Sequence, residues 1–296
     1  MYQHFGYVKK CETVPVTFPP QFQPQQPGIE SLMIPRPISE NPYYTGSNKL
    51  LNKAAIITGG DSGIGRAVAI AFAKEGADVV IVYLTEHGDA LETKERVNQL
   101  GRQCLTIAGD IGDENFCHYV VQKTIEAFGH LEILINNAGE AHPQASISDI
   151  SVMQLKRTFQ TNIFSYFYLT QAAIPYLKKG SSIINTTSIA AYTGLEYAID
   201  YAASKGAIVS FTRSLALSAI NQGIRVNGVA PGPVWTPLIP SSGPPETYET
   251  FGSDTPMKRA AQPFELAPTY VYLASDDSSY VTGQILHVNG GIIING

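Results

Sequence analysis

Ala54-Ala55-Ile56-Ile57-Thr58-Gly59-Gly60-Asp61-Ser62-Gly63-Ile64-Gly65 decides the fold. Its first four residues read as a buried strand. Gly65 to Lys74 reads as a helix, with Ala67, Val68, Ile70, Ala71 and Phe72 at helical spacing. In the turn between them, Gly59 allows a tight reversal and Gly63 lets the backbone approach an anion such as a pyrophosphate. Gly65 permits close helix packing, and the positive end of the helix attracts the anion. The spacing is G-x-x-x-G-x-G rather than G-x-G-x-x-G. A glycine-rich turn alone is a weak signal; between a strand and a helix it becomes a strong one.

Downstream, Val79 to Tyr83 is a second continuous apolar run. Leu105–Ala108, Ile133–Ile135, Ser182–Asn185, Arg225–Val229 and Ile285–Val288 follow. Helical patterns fall between them, near 88–100, 114–128, 151–179, 202–221 and 265–274. Short apolar strands alternating with helices imply parallel pairing covered on both faces. Right-handed crossovers then give an α/β fold: a Rossmann-type doubly wound parallel sheet of about seven strands, forming a single domain over 49–296. Pro175 should end or kink the helix begun near Ser151.

Upstream the composition changes. The first 48 residues hold 8 of the 19 prolines and a cluster of glutamines at Gln21, Gln23, Gln25 and Gln26. Proline fixes φ and removes amide donors, so no helix or strand is expected in this segment, 1–48. Yet Phe5, Tyr7, Phe18, Phe22, Met33, Tyr43 and Tyr44 are more aromatic and apolar than a disordered tail requires. An extended arm laid over the folded body from about residue 18 is expected, with residues before Lys10 loosely held.

The whole-chain numbers exclude several functions. The chain has 296 residues and a net charge of −5, from 25 acids and 20 bases. That argues against binding nucleic acid or an anionic membrane through clustered bases. Cys11, Cys104 and Cys117 form no paired framework, and the six histidines show no metal-ligand spacing, so no metal is expected. No basic segment leads into an apolar run at the N-terminus, and no stretch is long enough to span a bilayer; a cytoplasmic protein is expected.

Three further stretches carry chemistry. Asn136-Asn137-Ala138-Gly139 ends the fourth of the strands after Lys53. Ser188 follows the fifth, at the sheet edge where ligands bind in open α/β folds. Tyr201-Ala202-Ala203-Ser204-Lys205 places a phenol and an ammonium four residues apart, on one helix face. A phenol near pKa 10 exchanges protons poorly at neutral pH, and a nearby cation lowers that value. Each residue alone reads as structural; the constellation does not.

With Asn162 and Pro231-Gly232, these motifs stand in the order and spacing of the short-chain dehydrogenase/reductase family, which residues 50–296 resemble. The resemblance implies hydride transfer between a nicotinamide cofactor and a small carbonyl or alcohol substrate, such as an aldehyde, ketone or sugar. It further implies Tyr201 as general acid or base, Lys205 lowering the phenol's pKa and holding the ribose, and Ser188 orienting the substrate oxygen. Asn162 would hold a water that relays the proton. Cofactor contacts map onto Gly59, Asp61, Ser62, Gly63, Ile64, Gly65, Tyr83, Asp110, Ile111, Asn137, Ala138, Gly139, Tyr201, Lys205, Pro231, Gly232, Val234 and Thr236. Enoyl reductases of the superfamily usually place six residues between Tyr and Lys; three stand here. The Pro-rich prefix, Asn185-Thr186-Thr187-Ser188 and Val234-Trp235-Thr236-Pro237 resemble a bacterial general-stress or glucose-dehydrogenase-like subgroup.

The cofactor is expected to be NAD, with NADP possible. The family's ribose-binding Asp is replaced by Tyr83. Ser62 and Leu84 stand where NADP users carry Arg or Lys, and Asp61 and Glu86 add negative charge. Glu140, His142, Ile189, Ala190, Tyr192, Tyr197 and Trp235 are candidates to face the substrate, under a lid at 238–262. Aromatic residues on two faces of the 151–179 helix suggest a homotetramer. A nucleotide sensor without turnover is the competing reading, although such a sensor would typically lose the Tyr or the Lys. A protective oligomer worked by the arm is the other.

Overall fold

The computed structural model describes residues 7–9 and 13–294, beginning with a short antiparallel hairpin of β1 (Tyr7–Lys9) and β2 (Thr13–Pro15). Phe5 and Cys11 lie outside the described residues. The expectation that the arm holds no secondary structure is thereby corrected. Prolines exclude helix, but Tyr7-Val8-Lys9 and Thr13-Val14 are strand formers clear of the proline run, and one 3-10 turn follows at Glu30–Leu32.

The seven apolar runs become one parallel sheet. Its strands are β3 (Ala54–Thr58), β4 (Asp78–Tyr83), β5 (Cys104–Ala108), β6 (Ile133–Asn136), β7 (Ser182–Thr186), β8 (Arg225–Pro231) and β9 (Ile285–Val288). Their order is β5-β4-β3-β6-β7-β8-β9, every neighbouring pair parallel. The chain winds outward one way from β3 and the other way from β6. The crevice at their carboxyl ends is therefore the topological switch point.

The crossover helices are α1 (Gly63–Lys74), α2 (His87–Gln99), α3 (Glu114–Phe128), α4 (Val152–Phe159), α5 (Ser165–Ala173), α6 (Ala190–Thr193), α7 (Ile199–Ala219) and α8 (Ala267–Ala274). Phe72, Val97 and Tyr270 of α1, α2 and α8 pack on one sheet face. Val121, Leu169 and Ala216 of α3, α5 and α7 pack on the other. The single helix expected over 151–179 is three pieces: a wide π-turn at Gln160–Phe164 separates α4 from α5, and the helix stops at Ala173, ahead of Pro175. Among the described residues no helix is long and apolar enough to cross a membrane.

The arm is anchored along its length. Phe18 stacks on Trp235 with ring centroids 3.9 Å apart, beside buried Met33 and Tyr248. Gln26 brackets Ala141, its amide oxygen accepting from the Ala141 N–H (3.1 Å) and its amide N–H donating to the carbonyl (2.5 Å). Ile38 pairs by backbone with Phe264, Glu40 bridges Lys74 and Arg96, and the Tyr44 hydroxyl donates to Glu75. Trp235 is fully buried, and its indole N–H donates to the Pro35 carbonyl at 2.8 Å. It is part of the arm's anchorage and not a substrate-facing side chain, which corrects that expectation. An indole needs a large apolar bed and one acceptor, and the arm supplies both.

Candidate active site

At the end of β3 the chain reverses through Gly59 (φ +63) and enters α1 at Gly63 (φ +52), values that L side chains rarely adopt. A Cβ on Gly63 would lie 3.1 Å from the Thr236 side chain, and one on Gly65 would collide with the Gly59 carbonyl. Thr236 thus faces the glycine-rich turn. Ser62 is the N-cap but gives no capping hydrogen bond. The Gly63 N–H is taken by the Glu30 carboxylate at 2.6 Å, while the Ile64 and Gly65 N–H groups have no acceptor among the described residues. Two free amides at a helix N-terminus, bordered by Thr236, fit a pyrophosphate.

Neighbouring strand ends are locked to this turn. The Thr58 hydroxyl accepts from the Asn137 and Ala138 N–H groups at 2.8 and 3.0 Å. The Asn137 amide donates to the Thr58 carbonyl and accepts from the Thr186 hydroxyl. Thr58 and Thr186 were missed from sequence: a threonine at a strand end carries no signal by itself. Gly232 closes against β9, its N–H donating to the Val288 carbonyl at 3.0 Å, and Val234 bridges to Ala261. Asp110 caps Gly112 through one oxygen and pairs with Arg157 through the other at 2.5 Å; Ile111 beside it is buried. Tyr83 lies at the end of β4, its hydroxyl bonded to the His87 ring at 2.9 Å.

Burial pushes the Asp61 carboxyl up to about 7; a hydrogen bond to Ser62 opposes this, and the charge of Glu86 adds to it. A carboxyl that holds its proton more tightly when folded than when unfolded stabilises the fold at low pH, and that contribution disappears as pH rises through 7. Asp61→Asn should therefore be more stable than the parent by up to about 4 kcal/mol at pH 8, and by much less at pH 5. Urea midpoints at the two pH values measure this; a pH-independent difference would mean that Asp61 is ionised in the fold.

The candidate catalytic groups meet at α7. Its face carries Tyr201 and Lys205, with the Lys205 Nζ 5.6 Å from the Tyr201 ring centroid. The Thr186 carbonyl accepts from Nζ at 3.0 Å. Burial raises the pKa of the Tyr201 phenol; Ser188, at the start of the turn into α6, pulls it the other way, and the net shift is upward. Burial brings Lys205 down to about 7. The expected lowering of the phenol by Lys205 is thus not what this arrangement shows; burial dominates both groups.

Asn162, in the π-turn, spends its side-chain amide on protein. It donates to the Glu140 carbonyl (2.9 Å) and the Ser204 hydroxyl (3.0 Å), and accepts from the Glu140 N–H (2.9 Å). The expected water relay therefore has no free side-chain N–H there to hang from; the side chain clamps the loop after β6. A Cβ on Gly139 would lie 3.2 Å from the Asn162 oxygen and 3.3 Å from Lys205 Nζ, so this loop, Asn162 and Lys205 are neighbours. Nearby, the Tyr192 hydroxyl is buried without a partner among the described residues and its ring meets His287 edge-on, while Glu140 pairs with Arg157. Among the described residues no cluster of His, Cys, Asp and Glu could hold a metal ion.

A family profile described as enoyl-(acyl carrier protein) reductase matches residues 59–293. An uncharacterized oxidoreductase of Bacillus subtilis, YhxC, is 64% identical over 280 residues, 95% of this chain and 98% of that protein. The chain belongs to the short-chain dehydrogenase/reductase family. A glucose and ribitol dehydrogenase of Daucus carota is 52% identical, covering 94% of this chain and 98% of its own. A crystal structure of a short-chain dehydrogenase from Burkholderia cenocepacia in complex with NADP superposes with TM-score 0.78 at 30% identity, over 82% of this chain and 98% of that one. One from Mycobacterium paratuberculosis bound to NAD gives 0.76 at 31%, over 82% and 98%. Like other members of the short-chain dehydrogenase/reductase family, the chain is an oxidoreductase, and its arm lies outside the family profile.

Proposed function

We propose that the chain interconverts a small carbonyl and its alcohol, with NAD as the preferred cofactor and NADP as the alternative. The observation that carries this is the Tyr201–Lys205 pair on α7, a half-buried phenol beside a buried ammonium, with Ser188 acting on the phenol. The dinucleotide, when bound, supplies or receives the hydride. Tyr201 delivers the proton to the developing alkoxide in reduction and removes it from the alcohol in oxidation. Ser188 orients the substrate oxygen beside the phenol. The Lys205 ammonium, braced by the Thr186 carbonyl, favours the phenolate whenever it is charged and offers its remaining donors to ribose hydroxyls. Asn162 holds the 139–141 loop against this face. The Ile64 and Gly65 amides hold the pyrophosphate, with Thr236, Val234, Asp110 and Ile111 along the rest of the cleft.

The profile's description favours a second reading, reduction of an enoyl thioester. The three residues between Tyr201 and Lys205 support the carbonyl reading instead, as does the Daucus carota relative, a glucose and ribitol dehydrogenase. Residues 238–262 form the lid over the substrate, and the exposed Met153 and Leu155 of α4, Phe164 of the π-turn and Phe167 of α5 support assembly, with a homotetramer working in the cytoplasm as our reading. A screen of aldehydes, ketones, polyols and sugars with both cofactors, read at the reduced-nicotinamide absorbance, tests the assignment. Turnover of at least one sugar, polyol or aldehyde is expected. Turnover confined to an enoyl thioester would overturn it in favour of the second reading.

A further inference from the structure

Arg66 lies one turn beyond Ser62 on α1, and it is the guanidinium held against the glycine-rich turn. Its Nε donates to the Asp61 carbonyl at 2.8 Å and to the Thr93 hydroxyl at 2.9 Å. Its Nη2 donates to the Asp89 carbonyl at 2.7 Å. What remains of its charge is covered from outside. Glu30, in the arm's 3-10 turn, meets Nη1 at 2.7 Å, and Glu92 of α2 meets the same nitrogen at 3.3 Å. The Glu30 carboxylate is 1% exposed. Its second oxygen accepts from the Gly63 N–H, and its own backbone N–H donates to Asp89 at 2.6 Å. Burial lifts its carboxyl above the ordinary value even against Arg66 and the Gly63 amide. Even so, a guanidinium and a backbone donor, both within 2.7 Å, are the partners an anion takes.

The arm has therefore inserted a carboxylate between the helix that opens the dinucleotide turn and the cation on that helix. Acids outnumber cations around the end of β4: Arg66 is held among them, and Arg36, outside, is paired with Glu92. Asp61, Glu86 and Asp89 are buried there, and Asp61 and Glu86 both act on Tyr83. A 2′-phosphate carries close to two negative charges and needs an exposed cation, whereas a ribose diol needs none.

We propose that Glu30 is a specificity-determining residue: by pairing with Arg66 at the dinucleotide turn, the N-terminal arm denies a 2′-phosphate its cation and sets the preference for NAD over NADP. This rests on the nicotinamide-dinucleotide reading given above. Arg66 is the latent phosphate partner, and Glu30 reaches it from a segment about thirty residues upstream of the family profile. Glu30→Gln keeps the shape and the hydrogen bond from Gly63 while removing the charge.

Calorimetric titration of the full-length protein with NAD, NADP, 5′-AMP and adenosine 2′,5′-bisphosphate tests this without requiring turnover. In Glu30→Gln the ratio of the NADP to the NAD dissociation constant should fall about tenfold, the scale of one charge-assisted contact. The bisphosphate should gain over 5′-AMP in parallel, and Arg66→Gln added to Glu30→Gln should abolish both gains. Glu92→Gln, at an exposed position, should move the ratio the same way by about threefold, and it decides the matter if Glu30→Gln does not fold. Unchanged ratios, or parallel losses for both dinucleotides, would mean that Glu30 merely holds the arm down. Failure of the parent protein to bind either dinucleotide would instead overturn the underlying reading and this proposal with it.

Discussion

Replacing Tyr201 with Phe should lower turnover by about a thousandfold while leaving the dissociation constant of the dinucleotide within twofold of the parent. The substitution removes one oxygen. The ring keeps its place on α7 beside Lys205, and the amides of the glycine-rich turn are untouched. The proposed proton donor is lost, and with it the influence of Ser188 on the phenol. Steady-state rates on the best substrate from the screen, together with calorimetric dinucleotide binding, provide the two readouts. Activity within tenfold of the parent would remove Tyr201 from the chemistry. A parallel loss of binding would make the residue a structural support for the cleft.

Deleting residues 1–45 should cost on the order of 5–10 kcal/mol of stability, comparable with the whole stability of an ordinary domain. The deletion withdraws buried Phe18 and Met33, worth about 1.5–3 kcal/mol each, and uncovers Trp235. It also strips Glu30 from Arg66, leaving a mostly buried guanidinium short of a partner, typically a loss of about 3–5 kcal/mol. The truncated chain is thus expected to melt far below the parent or to aggregate on expression. Phe18→Ala is the milder version, expected to cost about 3–5 kcal/mol. A melting point unchanged by the truncation would make the arm a passive tail.

The sheet was legible because its inner strands are buried on both faces. Ala54–Ile57 and Val79–Val82 are continuous apolar runs with no exposed side to dilute the pattern. The candidate trio was legible because Tyr201 and Lys205 share one turn of spacing and Ser188 follows a strand. What stayed hidden depends on contacts far apart in sequence. Trp235 passed for a substrate-facing residue because nothing near it in sequence announces Phe18, more than two hundred residues away. Glu30 carried no signal in the sequence, because nothing beside it in a proline-rich stretch points to the Gly63 amide. The π-turn at Gln160–Phe164 escaped because Phe159 and Ile163, four residues apart, keep an ordinary helical spacing into it. Asn162 was noticed for its type and place, but the loop that consumes its amide hydrogens could not be seen.

The stack of Phe18 on Trp235 turns the chain's only indole into a built-in optical reporter. Because there is one tryptophan, its emission comes from one location, dry, with the indole N–H engaged by the backbone of Pro35. A segment that peels away admits water to that ring, and the emission moves to longer wavelength while the sheet stays folded. Circular dichroism follows the helices of the body and fluorescence follows the arm. Two unfolding curves recorded on one sample thus separate the release of the first forty-odd residues from the collapse of everything they cover.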